Sequence, residues 1–134
     1  MVETSLVKSQ GALVMRTIAM PADTNANGDI FGGWILSQMD LGGGIIAKKT
    51  ANTRTTTIAI DSLTFLNPVH VGDTVSCYAQ VAHIGRTSMK INVEVWVYRH
   101  LSDEDLLVTK GVFTYVSIGE NGRPTPVKRT QNES

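Results

Sequence analysis

The sequence predicts an α+β fold in which one antiparallel β-sheet packs on a single long helix. Three observations predict it. Residues 89–97 alternate strictly: Met89, Ile91, Val93, Val95 and Val97 share one side, while Lys90, Asn92, Glu94, Trp96 and then Tyr98 share the other. That is the period of an antiparallel strand with one buried face. Only residues 33–51 read as a long helix. Strands and helices nowhere alternate as βαβ units, which disfavours a parallel sheet.

Each element follows from its own residues. Residues 11–20 (GALVMRTIAM) read as a strand that ends at Pro21. The next ten are crowded with Asn, Asp and Gly, which accept turn and left-handed backbone conformations and so keep a loop open. The helix follows. Residues 55–66 are rich in Thr, Ile and Phe and read as a strand stopped by Pro68; 69–73 make a turn. Residues 74–84 form another strand, and Gly85-Arg86 a tight turn into the alternating segment. After a charged turn at 101–105, residues 106–118 form the final strand. The count is one strand, one helix, then four strands, in one domain with its core over about residues 11–118. The tail at 119–134 is polar, carries two prolines and is expected to fray.

One feature of the helix conflicts with its own propensity. Gly42, Gly43 and Gly44 stand in its middle, and each glycine costs about 0.8–1.0 kcal/mol relative to alanine there. The expected compensation is close approach of another backbone, that of the sheet. The alternative is a kink or an early helix end.

Composition narrows the classes. With 134 residues, 42% hydrophobic and a formal net charge of zero, the chain suits a folded domain and gives no electrostatic case for nucleic acid or a membrane surface. Its one cysteine, Cys77, excludes an internal disulfide and fits a reducing compartment. No stretch approaches the roughly 20 apolar residues of a membrane span, and the first ten residues show no apolar signal core. A cytoplasmic location is the expectation.

The chemistry-bearing residues gather at 22–40. Asp40 lies between Met39 and Leu41, and a carboxylate among apolar neighbours needs a partner or a purpose. It is either a structural acid, capped by backbone or paired with a Lys, or a general base or nucleophile. Gly32 and Gly33 either make a plain turn or offer amides at the positive helix end to a developing oxyanion. Asp23, Asn25, Asn27 and Gly28 fall on the first, third, fifth and sixth positions of an EF-hand loop, but the twelfth, which needs a bidentate Glu, is Trp34. Calcium is therefore disfavoured. Residues 85–90 (GRTSMK) read as a solvated hairpin or as a phosphate-binding segment. Lys48 and Lys49 suit the negative end of the helix dipole. His70, His83 and His100 lie far in sequence from the helix, without metal-ligand spacing. Cys77 alternates with Val75 and Ala79 as a core residue would, and no G-x-S-x-G elbow occurs.

The run NANGDIFGGWILSQMD, with FLNPVHVGD and GRTSMKINVEVW after it, resembles the hotdog-fold acyl-CoA thioesterases, and most of all their bacterial YciA-type group. The similarity spans about residues 14–116. It implies a sheet wrapped around one helix, homodimers with shared active sites and assembly into hexamers. It implies Asp40 as the catalytic acid, Asn25 as an Asn supplied by the partner subunit, and the amide of Gly33, with Gly32 beside it, as oxyanion donor. Asn27 is a weaker candidate for the role of Asn25. Arg86, Ser88 and Lys90 are the implied coenzyme A contacts. No cofactor is implied beyond the coenzyme A of the substrate. One departure is Gly44, where the family carries Ala or Ile. Two other functions are weighed against thioester hydrolysis. A hotdog enoyl-CoA hydratase pairs a His with an acid, and the loop before the helix has no His. A non-catalytic acyl-CoA sensor would need the pocket but not Asp40.

Overall fold

In the computed structural model, residues 11–127 are described. The order is β1 (Ala12–Ile18), a single 3₁₀ turn (Pro21–Asp23), α1 (Gly32–Ala51), β2 (Arg54–Phe65), β3 (Thr74–Ile84), β4 (Ser88–Arg99) and β5 (Glu104–Ile118). The strands form one sheet in the order β1-β3-β4-β5-β2, with every neighbouring pair antiparallel. Hairpins join β3 to β4 and β4 to β5, while β1 and β2 close the two edges. The expected α+β architecture is the observed one.

The alternation in β4 sets the core. Met89, Ile91, Val93, Val95 and Val97 are all buried and meet Ile35, Met39 and Ala47 of α1 across one layer of side chains. The helix touches all five strands. It begins after Phe31, whose backbone is extended, and ends at Asn52, a left-handed residue (φ 56°) whose amide donates to the Lys48 carbonyl at 2.8 Å.

The central glycines are explained differently from the expectation. The helix runs unbroken through them, and what comes close is side chains of the sheet rather than its backbone. A Cβ at Gly42 would lie 2.8 Å from Cys77 Sγ, and one at Gly43 only 2.5 Å from the Tyr115 hydroxyl. At Gly44 the nearest atom would be Tyr115 Cε2 at 3.8 Å, an ordinary contact. Two glycines are therefore steric requirements and the third is not.

The tail also departs from the expectation of fraying. The Thr125 amide donates to Ser117 O and the Val127 amide to Arg86 O, at 2.9 and 2.8 Å. Val127 packs on the core. The rest of the predicted tail, 128–134, lies outside the described residues.

A buried ion pair pins the 66–73 loop beside the helix start. Asp73, 2% exposed, accepts from Arg99 Nε at 3.1 Å, Arg99 Nη2 at 2.8 Å and the His70 amide at 2.8 Å. Burial alone would push its carboxyl up, but the Arg99 and His70 donors outweigh burial and hold it below the 3.8 of a free aspartate.

Two outcomes follow. Gly43→Ala should cost about 1–3 kcal/mol by overpacking, whereas Gly44→Ala should be neutral or stabilise by up to about 1 kcal/mol through helix propensity; urea midpoints compare them. Because the folded-state Asp73 titrates lower than the unfolded one, its stabilisation is present above the unfolded value and is lost as pH falls through the folded one. The stability gap between wild type and Arg99→Gln should then be widest at neutral pH and narrow below pH 3.8, as read by denaturant unfolding at each pH.

Candidate active site

Asp40 sits half-buried on the sheet side of α1, one turn before the close-packed glycines. The sheet meets it with two neutral donors. Thr57 Oγ1 of β2 donates to Asp40 Oδ1 at 2.5 Å. The Tyr115 hydroxyl of β5 donates to the Asp40 carbonyl at 2.9 Å and lies 3.2 Å from Oδ1. The two donors arise from register, since Thr57 stands opposite Tyr115 and Tyr115 opposite Met89. Burial first, and then the nearby carboxylate, push the Tyr115 phenol far above its usual value, so it stays a donor. Among the described residues the salt bridge is Asp73–Arg99, and Asp40 is held without one. Its Oδ2 makes no hydrogen bond there, so the acid keeps one oxygen able to accept a proton.

The loop before α1 is closed by its own polar groups. Asn25 Oδ1 accepts from the amides of Asn27 (2.9 Å) and Asp29 (3.1 Å), and the Asn25 amide donates to Asp29 O at 2.7 Å. Gly28 takes φ 84°, which suits glycine. Asp23 Oδ2 accepts from the Met20 amide at 3.1 Å. The oxygens of the EF-hand-like pattern thus build a turn. With its oxygen engaged, Asn25 has its NH₂ left to offer. No group of three potential metal ligands occurs among the described residues.

At the helix start Phe31 gives no side-chain cap, so the amides of Gly32 and Gly33 face outward at the positive end of the dipole. Beside them opens a cavity of about 430 Å³ between Ile30, Ile35, Phe65, Leu66 and Val69. Gly33 and Asp40 lie on the same face of one continuous helix, but their separation along the axis is roughly 10.5 Å. One carbonyl cannot touch both groups of the same chain.

The other candidates are not drawn together within one chain. Asn25 makes no hydrogen bond to Asp40 among the described residues. Ser88 and Lys90 flank the inward Met89 and so lie on the opposite face of the sheet from Asp40, and Arg86 is exposed in the β3–β4 turn. Cys77 is in the core as expected, its thiol pushed up to about 12 by burial.

Thr57 and Tyr115 were not singled out by the sequence. A signal existed in β2, whose alternation is inverted. Ile58 and Ile60 are exposed at 59% and 42%, while Thr55, Thr57 and Ala59 turn inward. A strand that hides threonines and shows isoleucines has something polar beneath it and a surface left to cover.

Residues 27–101, more than half of the chain, match the model of the thioesterase superfamily. The chain belongs to that superfamily. Within this thioesterase family its likeness is to the YciA type. It is 52% identical over 121 residues to the acyl-CoA thioester hydrolase YciA of Salmonella typhimurium, covering 88% of this chain and 91% of that protein. It is 52% identical over 129 residues to an uncharacterized acyl-CoA thioester hydrolase of Haemophilus influenzae, covering 94% and 84%. A solved hexameric broad-specificity acyl-coenzyme A thioesterase aligns with a TM-score of 0.87 at 52% identity, over 94% of this chain and 87% of that one. That enzyme has also been solved with an aspartate changed to alanine. The hotdog architecture is that of the family, and the chain, like its relatives, is a thioester-hydrolase type of enzyme. No helix among the described residues is long and apolar enough to cross a membrane.

Proposed function

We propose that this thioesterase-family chain hydrolyses acyl-coenzyme A to a carboxylic acid and free coenzyme A, in a site shared by two protomers. The observation that carries the reading is Asp40, a carboxylate held by hydroxyl donors on one oxygen and unpartnered on the other. The shared site follows from reach. Because the Gly33 amide and Asp40 of one chain stand roughly 10.5 Å apart, the thioester carbonyl rests on the Gly33 amide of one protomer, with Gly32 beside it, and meets Asp40 of the other. The Asn25 NH₂, fixed by its engaged oxygen, comes with the same protomer as Gly33 and donates to water or substrate.

The chemistry balances with these groups. Asp40 takes a proton from water as the water oxygen attacks the carbonyl carbon. The oxyanion forms against the Gly33 amide, a donor whose loss typically costs about 2.7–4 kcal/mol in such sites. Collapse breaks the C–S bond and the sulfur leaves as thiolate, since thiols have a pKa near ~8.5. Direct attack by Asp40, giving a mixed anhydride that water then cleaves, uses the same groups. The apolar cavity beside Gly32 accepts part of the acyl portion. Ser88 and Lys90, on the far side of their own sheet, and Arg86, in the turn before them, bind coenzyme A phosphates at the site of another protomer. The exposed Leu41, Ile45, Ile58 and Ile60 are the surface that pairing covers, and the hexameric relatives support further assembly. In this reading the protein works in the cytoplasm and needs no cofactor.

Asp40→Asn should keep the fold and lower kcat at least about a hundredfold, the scale of a lost general base; thiol release at the wild-type rate would refute the assignment. Asn25→Ala and Asp40→Ala, each inactive alone, should regain part of the activity after subunit exchange. Verified mixed dimers without recovery would sink the shared site.

A further inference from the structure

Tyr115 carries more chemistry than a core position needs. It is 2% exposed and stacks on Phe113, a place that phenylalanine would fill equally well. A buried phenol hydroxyl requires a partner, and this one reaches into the helix. Its single proton is shared between the Asp40 carbonyl at 2.9 Å and Asp40 Oδ1 at 3.2 Å. It reaches there because residue 43 has no side chain, since a Cβ would come within 2.5 Å of the hydroxyl. We infer that Tyr115 is a positioning residue for the Asp40 carboxylate and that Gly43 is what admits it; the inference rests on the thioester hydrolysis proposed above.

The geometry gives the physical role. Thr57 and Tyr115 both bear on Oδ1, one from each of two adjacent strands. Two donors on one oxygen restrain the carboxylate and leave Oδ2 without a hydrogen bond among the described residues. The same hydroxyl binds the backbone of Asp40, so main chain and side chain are held against the sheet together. Other ionisable groups facing this stretch are few. From β3 comes Cys77, with its thiol protonated by burial, and Tyr115 is the one from β5. β2 presents the neutral Thr57, while β1 and β4 present Val14 and Val93. Removing the phenol hydroxyl takes away one of the two donors that hold this oxygen, and the carboxylate is then free to turn away from the position in which it meets the substrate.

The test is Tyr115→Phe, Gly43→Ala and the double variant, each assayed for kcat and KM of thiol release from an acyl-CoA and for its urea midpoint. Tyr115→Phe is expected to lower kcat roughly tenfold, the scale of one hydrogen bond to a charged group, with KM little changed. Gly43→Ala should move the kinetics the same way by displacing the phenol. Adding Tyr115→Phe to it should cause no further kinetic loss and should recover stability, the signature of coupled neighbours. A Tyr115→Phe enzyme that is less stable yet unchanged in kcat would overturn the inference alone. A wild type that releases no thiol would overturn the thioesterase reading and this inference with it.

Discussion

The organising constraint is a carboxylate carried on the buried side of a helix and held there by hydroxyl groups of a sheet. Ionised carboxylates resist burial unless they are paired or hydrogen-bonded. Asp40 is satisfied without a cation among the described residues: Thr57 and Tyr115 meet it with neutral hydroxyl donors. Much else follows from bringing sheet and helix close enough for this. Gly42 and Gly43 remove the side chains that would hold the two layers apart. The helix tolerates the lost propensity because all five strands brace it; packing, rather than local preference, decides most helices in proteins.

The second constraint is distance along a helix. A rigid α1 fixes the Gly33 amide and Asp40 at a separation that no conformational adjustment of the side chain can close. The same chain leaves its β2 edge unpaired and apolar residues of β2 and α1 uncovered. An unpaired strand edge is a template for another chain. The separation of Gly33 from Asp40 and the uncovered surface both fit the proposed pairing of two protomers. Loop 66–73, clamped by Asp73 and Arg99, keeps Phe65 to Val69 beside the helix start, so that the cavity there is defined by the fold rather than by a mobile segment.

What could be read in advance differed by element. β4 was legible because its buried face alternates without exception, and α1 because it is the single long window of its kind. Over its described part, 119–127, the tail is not frayed as expected, because composition does not report that Val127 docks on the core while its amide pairs with Arg86. The glycines were read correctly as a sign of close packing, but the partner was wrong, since only coordinates distinguish a backbone from the Tyr115 hydroxyl. Asp40 was legible as a carboxylate in an apolar run. Thr57 was not, being one of three consecutive threonines whose facing depends on strand register.

The sequence by itself determined the order and kind of the elements, the face of β4 that is buried, and the presence of an acid that would need a reason. These are local properties, carried by periodicity and by residue chemistry along the chain. Tertiary structure alone decided that Thr57 and Tyr115, 17 and 75 residues beyond Asp40, converge on one of its oxygens. It also decided that the Tyr115 hydroxyl, and not a strand backbone, is what fills the space left by Gly43. Convergence of distant residues is fixed by strand register and layer spacing, and no local pattern encodes either.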